Sequence, residues 1–87
     1  MAMSARKISF IDHAEKQLKA RNINVNTVLQ ALSNPVIVVR QTANRFRVVK
    51  VVTFTPKPKL IIIIYDKLNH HKEIVTVFYT SKIKKYL

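Results

Sequence analysis

The sequence predicts an α+β fold: a helical hairpin followed by a four-stranded antiparallel sheet, in the order α-α-β-β-β-β. Three observations predict it. Residues Leu60–Tyr65 read Leu, Ile, Ile, Ile, Ile, Tyr, and β-branched runs crowd a helix but fill a pleated strand. Before Ser33 the apolar residues recur at three and four positions; from Val36 they recur at two. Helices that precede strands, joined by short links, indicate a segregated α+β domain with an antiparallel sheet.

Leu60–Tyr65 organises the rest. It is apolar on both parities, so as a strand it needs cover on both faces and pairing on both edges. Left at an edge it would pair with copies of itself. It is therefore expected to be a central strand.

In chain order, residues 1–7 read as a flexible start. Ser9 followed by Asp12 matches a capping box, and Ile11, Ala14 and Leu18 give an amphipathic helix over residues 10–21. Lys16, Lys19 and Arg21 take its wet side. Asn24 is placed to cap a second helix, with Ile23 and Val28 as staple partners and Val25, Val28, Leu29 and Leu32 as one apolar stripe. Asn34-Pro35 ends it, because proline disfavours a helical residue before it. The link Asn22-Ile23 admits only a helical hairpin.

Val36–Arg40 reads as the first strand and Gln41–Asn44 as a turn. Arg45–Phe54 is the second strand. Phe46, Val48, Lys50, Val52 and Phe54 share one face, and Arg45, Arg47, Val49, Val51 and Thr53 the other. Pro56-Lys57-Pro58 forces a turn. Leu60–Tyr65 is the third strand, Asp66–His71 a polar turn, and Lys72–Tyr79 the fourth. The tail follows, with residues 82–87 expected to be flexible. The hairpin covers one sheet face. The other has only the tail, so it is expected to be a concave surface or a partner's seat.

Composition bounds the function. Eighty-seven residues make a single domain, 1–87. The chain has no Cys, which excludes disulfides and thiolate chemistry and suits a cytoplasmic protein. No apolar run is long enough to span a bilayer and no signal peptide opens the chain, so no membrane role is expected. The chain has no Gly, which excludes glycine-rich phosphate loops. Sixteen Lys and Arg face four acids, a net charge of +12, and the acids Asp12, Glu15, Asp66 and Glu73 all lie outside residues 16–65. Such a field attracts polyanions, either RNA or an acidic protein. A solvated lysine surface is the plainer alternative, but it would carry more acids.

The candidate chemistry is cationic and aromatic. Arg40, Arg45, Arg47, Lys57, Lys59, His70, His71 and Lys72 fall at strand ends and turns, interleaved with Phe46, Tyr65, Phe78, Tyr79 and Tyr86. Cations hold phosphate and rings stack on unpaired bases. For Phe46 and Phe78 core packing is the favoured reading, as is usual for aromatics on strands. Lys50 interrupts an apolar row, so it snorkels, pairs with an acid or faces a site. Three His without Cys and with few acids make a poor metal set, so neither metal nor cofactor is expected. His13, off the apolar stripe near the start of the first helix, and the turn histidines are placed as proton carriers. No carboxylate pair or Ser-His-Asp order stands out. RNA can supply its own nucleophile, the 2′-OH, and Lys, Arg, His and Tyr then suffice to orient it and stabilise charge.

Two stretches carry a resemblance. Phe10-Ile11-Asp12-His13-Ala14, with Arg21-Asn22-Ile23, is similar to a His-Ala…Arg-Gly-Ile opening found in the RelE/ParE-like toxin superfamily, near its BrnT-type branch. Ile74–Ser81, running into Lys84-Lys85-Tyr86-Leu87, resembles that branch's closing strand and tail. Asn22 stands in place of Gly, and Phe78-Tyr79 in place of Tyr-Pro. The resemblance implies a RelE-like fold and a toxin–antitoxin role, with metal-free mRNA cleavage on the ribosome and an acidic antitoxin as partner. On that reading His13, Arg45, Arg47 and Tyr86 are the catalytic candidates. Lys50, Lys57, Lys59, Lys72, Tyr79, Lys82, Lys84 and Lys85 are the candidates for gripping RNA. The alternative is a non-catalytic basic module, or an inactive toxin relative, that binds nucleic acid or an acidic protein.

Overall fold

The computed structural model describes residues 7–53, 56–69 and 71–87. The elements are β1 (Lys7–Phe10), α1 (Asp12–Ala20), α2 (Val25–Ser33), β2 (Ile37–Arg40), β3 (Arg45–Val52), β4 (Lys59–Leu68), β5 (His71–Thr80) and α3 (Ile83–Tyr86). The strands form one five-stranded sheet in the order β1-β5-β4-β3-β2. β2, β3, β4 and β5 are antiparallel neighbours, while β1 runs parallel to β5. Among the described residues no helix is long and apolar enough to cross a membrane.

This corrects the expected order. The fold is a mixed sheet with three helices, not a helical hairpin followed by four antiparallel strands. The chain opens on a strand where a helix start was expected. Ile8 and Phe10 alternate with Ser9, a period of two too short to compete with the helical pattern that follows. What makes it a strand is β5, which offers a free edge; its ladder runs on past β1 with Ile11 N–H donating to Ile74 O at 3.1 Å. The Ser9–Asp12 capping box does not form. The α1 cap is Ile11, which supplies no side-chain bond. A flexible start was expected over residues 1–7; Lys7 instead opens β1, and residues 1–6, the face given to Phe54 and the turn position of His70 lie outside the described residues.

The helical link is built without glycine. Asn22 sits at φ 54°, in the left-handed region, which asparagine tolerates better than most residues. Ile23 N–H then donates to Leu18 O at 2.8 Å and Asn22 N–H to Lys19 O at 3.3 Å. This is the paired closure that ends a helix around a left-handed residue. Ile23 and Leu18 pack in the same core cluster. The α2 cap is as expected, with Asn24 Oδ1 accepting from Asn26 N–H at 2.7 Å. The buried stripe of α2 is Val28 and Ala31, while Val25 and Leu29 stay exposed.

The sheet divides the core. On the helix side, Val48, Val52, Ile61, Ile63, Tyr65, Ile74 and Val77 pack against Ala14, Leu18, Val28 and Ala31. On the other side, Val49, Leu60 and Ile62 pack against Ile37, Val51, Phe78, Ile83 and Tyr86. β4 is the central strand, and Leu60, Ile61, Ile62 and Ile63 have no exposed surface at all. It runs longer than Leu60–Tyr65 and turns only at Asn69, another left-handed asparagine, at φ 45°.

Ile62 and Ile63 point to opposite faces of this strand. Truncating either to Ala should cost ~2–5 kcal/mol in urea unfolding, from lost transfer energy plus the cavity left behind. Near-neutral values at both would contradict a strand covered on both faces.

Candidate nucleic-acid interface

The face away from α1 and α2 is built by alternation. The β3–β4 and β4–β5 registers put Arg45, Arg47, Val49 and Val51 on it beside Leu60, Ile62, Ile64 and Asp66, then Thr76 and Phe78. A β-bulge beside Ile64 and Tyr65 shifts the β5 register there. α3 lies across part of this face. Lys82 N–H is held by Thr80 Oγ1 at 3.1 Å, which turns the chain back. Ile83 and Tyr86, three apart, then fall on the sheet, leaving Lys82, Lys84 and Lys85 exposed.

Tyr86 is the centre of the arrangement. Its ring meets Phe78 edge-on, with centroids 6.3 Å apart and planes at 65°. The Arg47 guanidinium carbon lies 5.2 Å from the Tyr86 centroid, and Lys85 Nζ 5.6 Å from it. Arg47 is half-buried, and its Nε is enclosed without a hydrogen-bond partner. The result is a cation held by a ring with donors still to satisfy, bordered by lysines. It suits an anion that carries several acceptor oxygens.

Arg45 shares this face but is occupied. Its Nε donates to Asp66 Oδ1 at 2.7 Å and its Nη2 to Asp66 Oδ2 at 3.0 Å. These bonds hold the Asp66 carboxyl below the usual carboxylate range; its partial burial opposes them and the Arg45 charge adds to them. The same bonds, then the carboxylate charge, raise Arg45 further above its already high value. Arg47 is the arginine of this face whose charge no described acid neutralises.

The other predicted residues are dispersed. His13 is exposed on α1, in the layer across the sheet from Tyr86. Lys50 is on the helix side, where it lines a pocket of about 260 Å³ with Thr27, Gln30 and Ala31 of α2. Lys57 is exposed between β3 and β4, and Lys59 opens β4 opposite Val52. Lys72 Nζ sits 4.9 Å from the Tyr65 centroid, and Tyr65 stacks on Phe46 at 5.4 Å within the helix-side core. Tyr79 packs against that same core, and burial pushes its hydroxyl pKa up, which keeps it protonated. The structure therefore gathers Arg47, Tyr86, Lys82, Lys84 and Lys85, and separates the rest from them.

Two features were not found from the sequence. Asp66 meets Arg45 only through the β3–β4 register, which no local pattern fixes. His71 is not in a turn but opens β5, where its Nε2 lies 3.2 Å from Ser9 Oγ. That contact exists only because β1 docks beside β5. Among the described residues no three His, Cys, Asp or Glu side chains come together as a metal set.

Residues 10–79 match the family described as DUF4258, a domain of unknown function. The chain belongs to that family. Arg47 lies within the matched span of the DUF4258 domain, while α3 with Tyr86 follows it. No curated protein and no solved structure matches the chain.

Two predictions follow from this geometry. Asp66 has a lowered folded pKa, so its contribution to stability is complete above the ordinary aspartate value of about 3.9 and is lost as pH falls through the lower folded value. The stability difference between wild type and Asp66→Asn should be constant near neutral pH and vanish in acid. A difference that persists in acid would mean the carboxylate is not its source. Arg47→Met should leave the unfolding midpoint unchanged or raised, because it removes a donor whose enclosure costs ~1–3 kcal/mol. A marked fall in the midpoint would make the guanidinium structural.

Proposed function

We propose that this DUF4258 chain acts on RNA through the face around α3, as a toxin-type, metal-independent mRNA-cleaving protein that works with the ribosome. The arrangement of Arg47 under Tyr86, bordered by Lys84 and Lys85, carries the reading. Two motifs that resemble the RelE/ParE-like superfamily support it, as does a net charge of +12.

In this reading the RNA 2′-OH attacks the adjacent phosphorus, and the 5′ oxygen of the next nucleotide leaves with a proton. Arg47 stabilises charge on the phosphoryl oxygens, Tyr86 Oη carries a proton, and the α3 lysines hold the flanking backbone. Arg45 supports the face through Asp66. His13 takes no part, since the sheet stands between it and Tyr86. His71 is also remote: two strand spacings and four residue steps put it about 16 Å from Arg47. The cleavage site is thus completed by the ribosome.

One observation favours a second reading, a non-catalytic RNA-binding module: among the described residues no histidine or second tyrosine is found against Tyr86. Expression in growing cells separates the two. If the chain cleaves, it slows growth and leaves mRNA ends bearing 2′,3′-cyclic phosphate, and the purified chain does the same on ribosomes in chelator. Arg47→Ala should lower that rate by ~10²–10³, as loss of one transition-state charge contact does. Tyr86→Phe should lower it while RNA binding persists. Unaffected growth and the absence of such ends would leave the binding module. Under both readings log K falls by ~0.7 per phosphate contact per log unit of salt. Binding that ignores salt would sink both.

A further inference from the structure

The β2 edge of the sheet is open. Ile37–Arg40 pairs with β3 on one side, and among the described residues no strand follows it on the other. Beyond its end, Gln41 N–H donates inward to Arg45 O at 2.8 Å. Antiparallel ladders alternate, so Val39 and Ile37 also point their backbone groups inward, and Val38 and Arg40 turn theirs outward.

Within Ile37–Val39 this edge has neither lysine nor proline, and only ahead of it does the pairing become irregular, with Val36 N–H turning inward to Val49 O at 2.9 Å. Natural edge strands carry a lysine, an internal proline or a bulge that blocks further pairing. Here Val36, Val38 and Val39 expose 51%, 49% and 36% of their surface. Arg40 is the sole charge on the strand, and it curls back to the turn, with Nε donating to Thr42 O at 3.3 Å and Nη2 to Ala43 O at 3.2 Å. An apolar edge with free ladder groups is a template for one more strand.

Charge selects the occupant. No acid occurs between residues 16 and 65, and Arg47 lies directly behind Val39 on β3. A second copy would bring the same excess of +12 and be repelled. We propose that β2 docks an extended acidic segment of a partner protein as a sixth strand. Its backbone pairs with Val38 and Arg40, its apolar side chains cover Val38 on the helix-side face, and its acids fall on the other face, beside Val39 and toward Arg47. The edge is separate from the α3 face, so this inference stands without the RNA reading.

The test uses the full chain and a short synthetic peptide of alternating Val and Glu. A peptide of the same composition with its valines and glutamates in blocks is the control. Binding is read by fluorescence anisotropy, and backbone pairing by amide hydrogen exchange. The alternating peptide should bind more tightly than the block peptide and slow exchange at Val38 and Arg40. Val38→Pro removes an outward donor at an edge, where proline is tolerated. It should keep the thermal midpoint and weaken the alternating peptide by about tenfold or more. Val38→Lys, which keeps the N–H but adds a guard, should also weaken it and covers a failure of the proline variant to fold. Equal binding of both peptides, or unchanged exchange at Val38 and Arg40, would overturn the proposal. So would protection that appears with rising protein concentration and no peptide, since the occupant would then be a second copy.

Discussion

The structure depends on keeping one strand dry from four directions. Leu60, Ile61, Ile62 and Ile63 are fully buried although they alternate between two faces. Laterally the sheet order solves this, with two strands on each side of β4. Vertically the two solutions are unequal. Ile61 and Ile63 lie under two helices of nine residues each, whereas Leu60 and Ile62 depend on neighbouring side chains and a four-residue α3. A helix of one turn can cover the sheet only by pressing down side chains three apart, here Ile83 and Tyr86. Every position between and before them is lysine. The same requirement that keeps β4 dry therefore sets an aromatic ring and a row of cations beside Arg47.

Thin cover has an electrostatic consequence. Arg47 sits where the covered part of this face meets water, close enough to Tyr86 for a cation–ring contact but with Nε enclosed and unbonded. An exposed or moderately buried cation–ring contact gains about 0.5–2 kcal/mol, comparable with the cost of enclosing one unsatisfied donor. The fold alone has little to gain from an arginine there. Arg45, two residues away, is in the opposite condition: Asp66 neutralises it and ties β3 to β4. Two arginines on one strand face thus divide into a tie between β3 and β4 and a charge that no described acid neutralises.

Much of this was legible in the sequence, and what was not has a common cause. The central strand, the α2 cap at Asn24, the turn without glycine at Asn22 and the parity of Arg45, Arg47 and Lys50 all follow from local pattern. β1 does not. Its four residues carry two apolar side chains, and only docking against β5 makes them a strand. Missing β1 meant missing the parallel pairing and the His71–Ser9 contact. It also led Ser9 to be read as a helix cap. The site was legible in kind but not in membership. Composition pointed to cations among aromatics, and parity already set Lys50 apart from Arg47. But the removal of His13 to the far layer and the capture of Arg45 by Asp66 are matters of register and layer, and these are set by contacts distant in sequence.

The charge of the chain and its unguarded edge belong together. A sheet edge is usually protected locally, by a lysine or proline on the strand itself. β2 lacks both within Ile37–Val39, yet the whole molecule carries a net charge of +12. Between copies, that repulsion acts across about a Debye length, ~8–10 Å at ordinary ionic strength, which is the range at which two edges must meet to pair. The field does for the edge what a local guard does elsewhere, with one difference. A lysine on the strand opposes every partner, through its bulk and its hydration as well as its charge. A global positive field opposes only partners of like sign and draws in those of opposite sign. An edge protected in this way is closed to its own copies and open to an acidic chain.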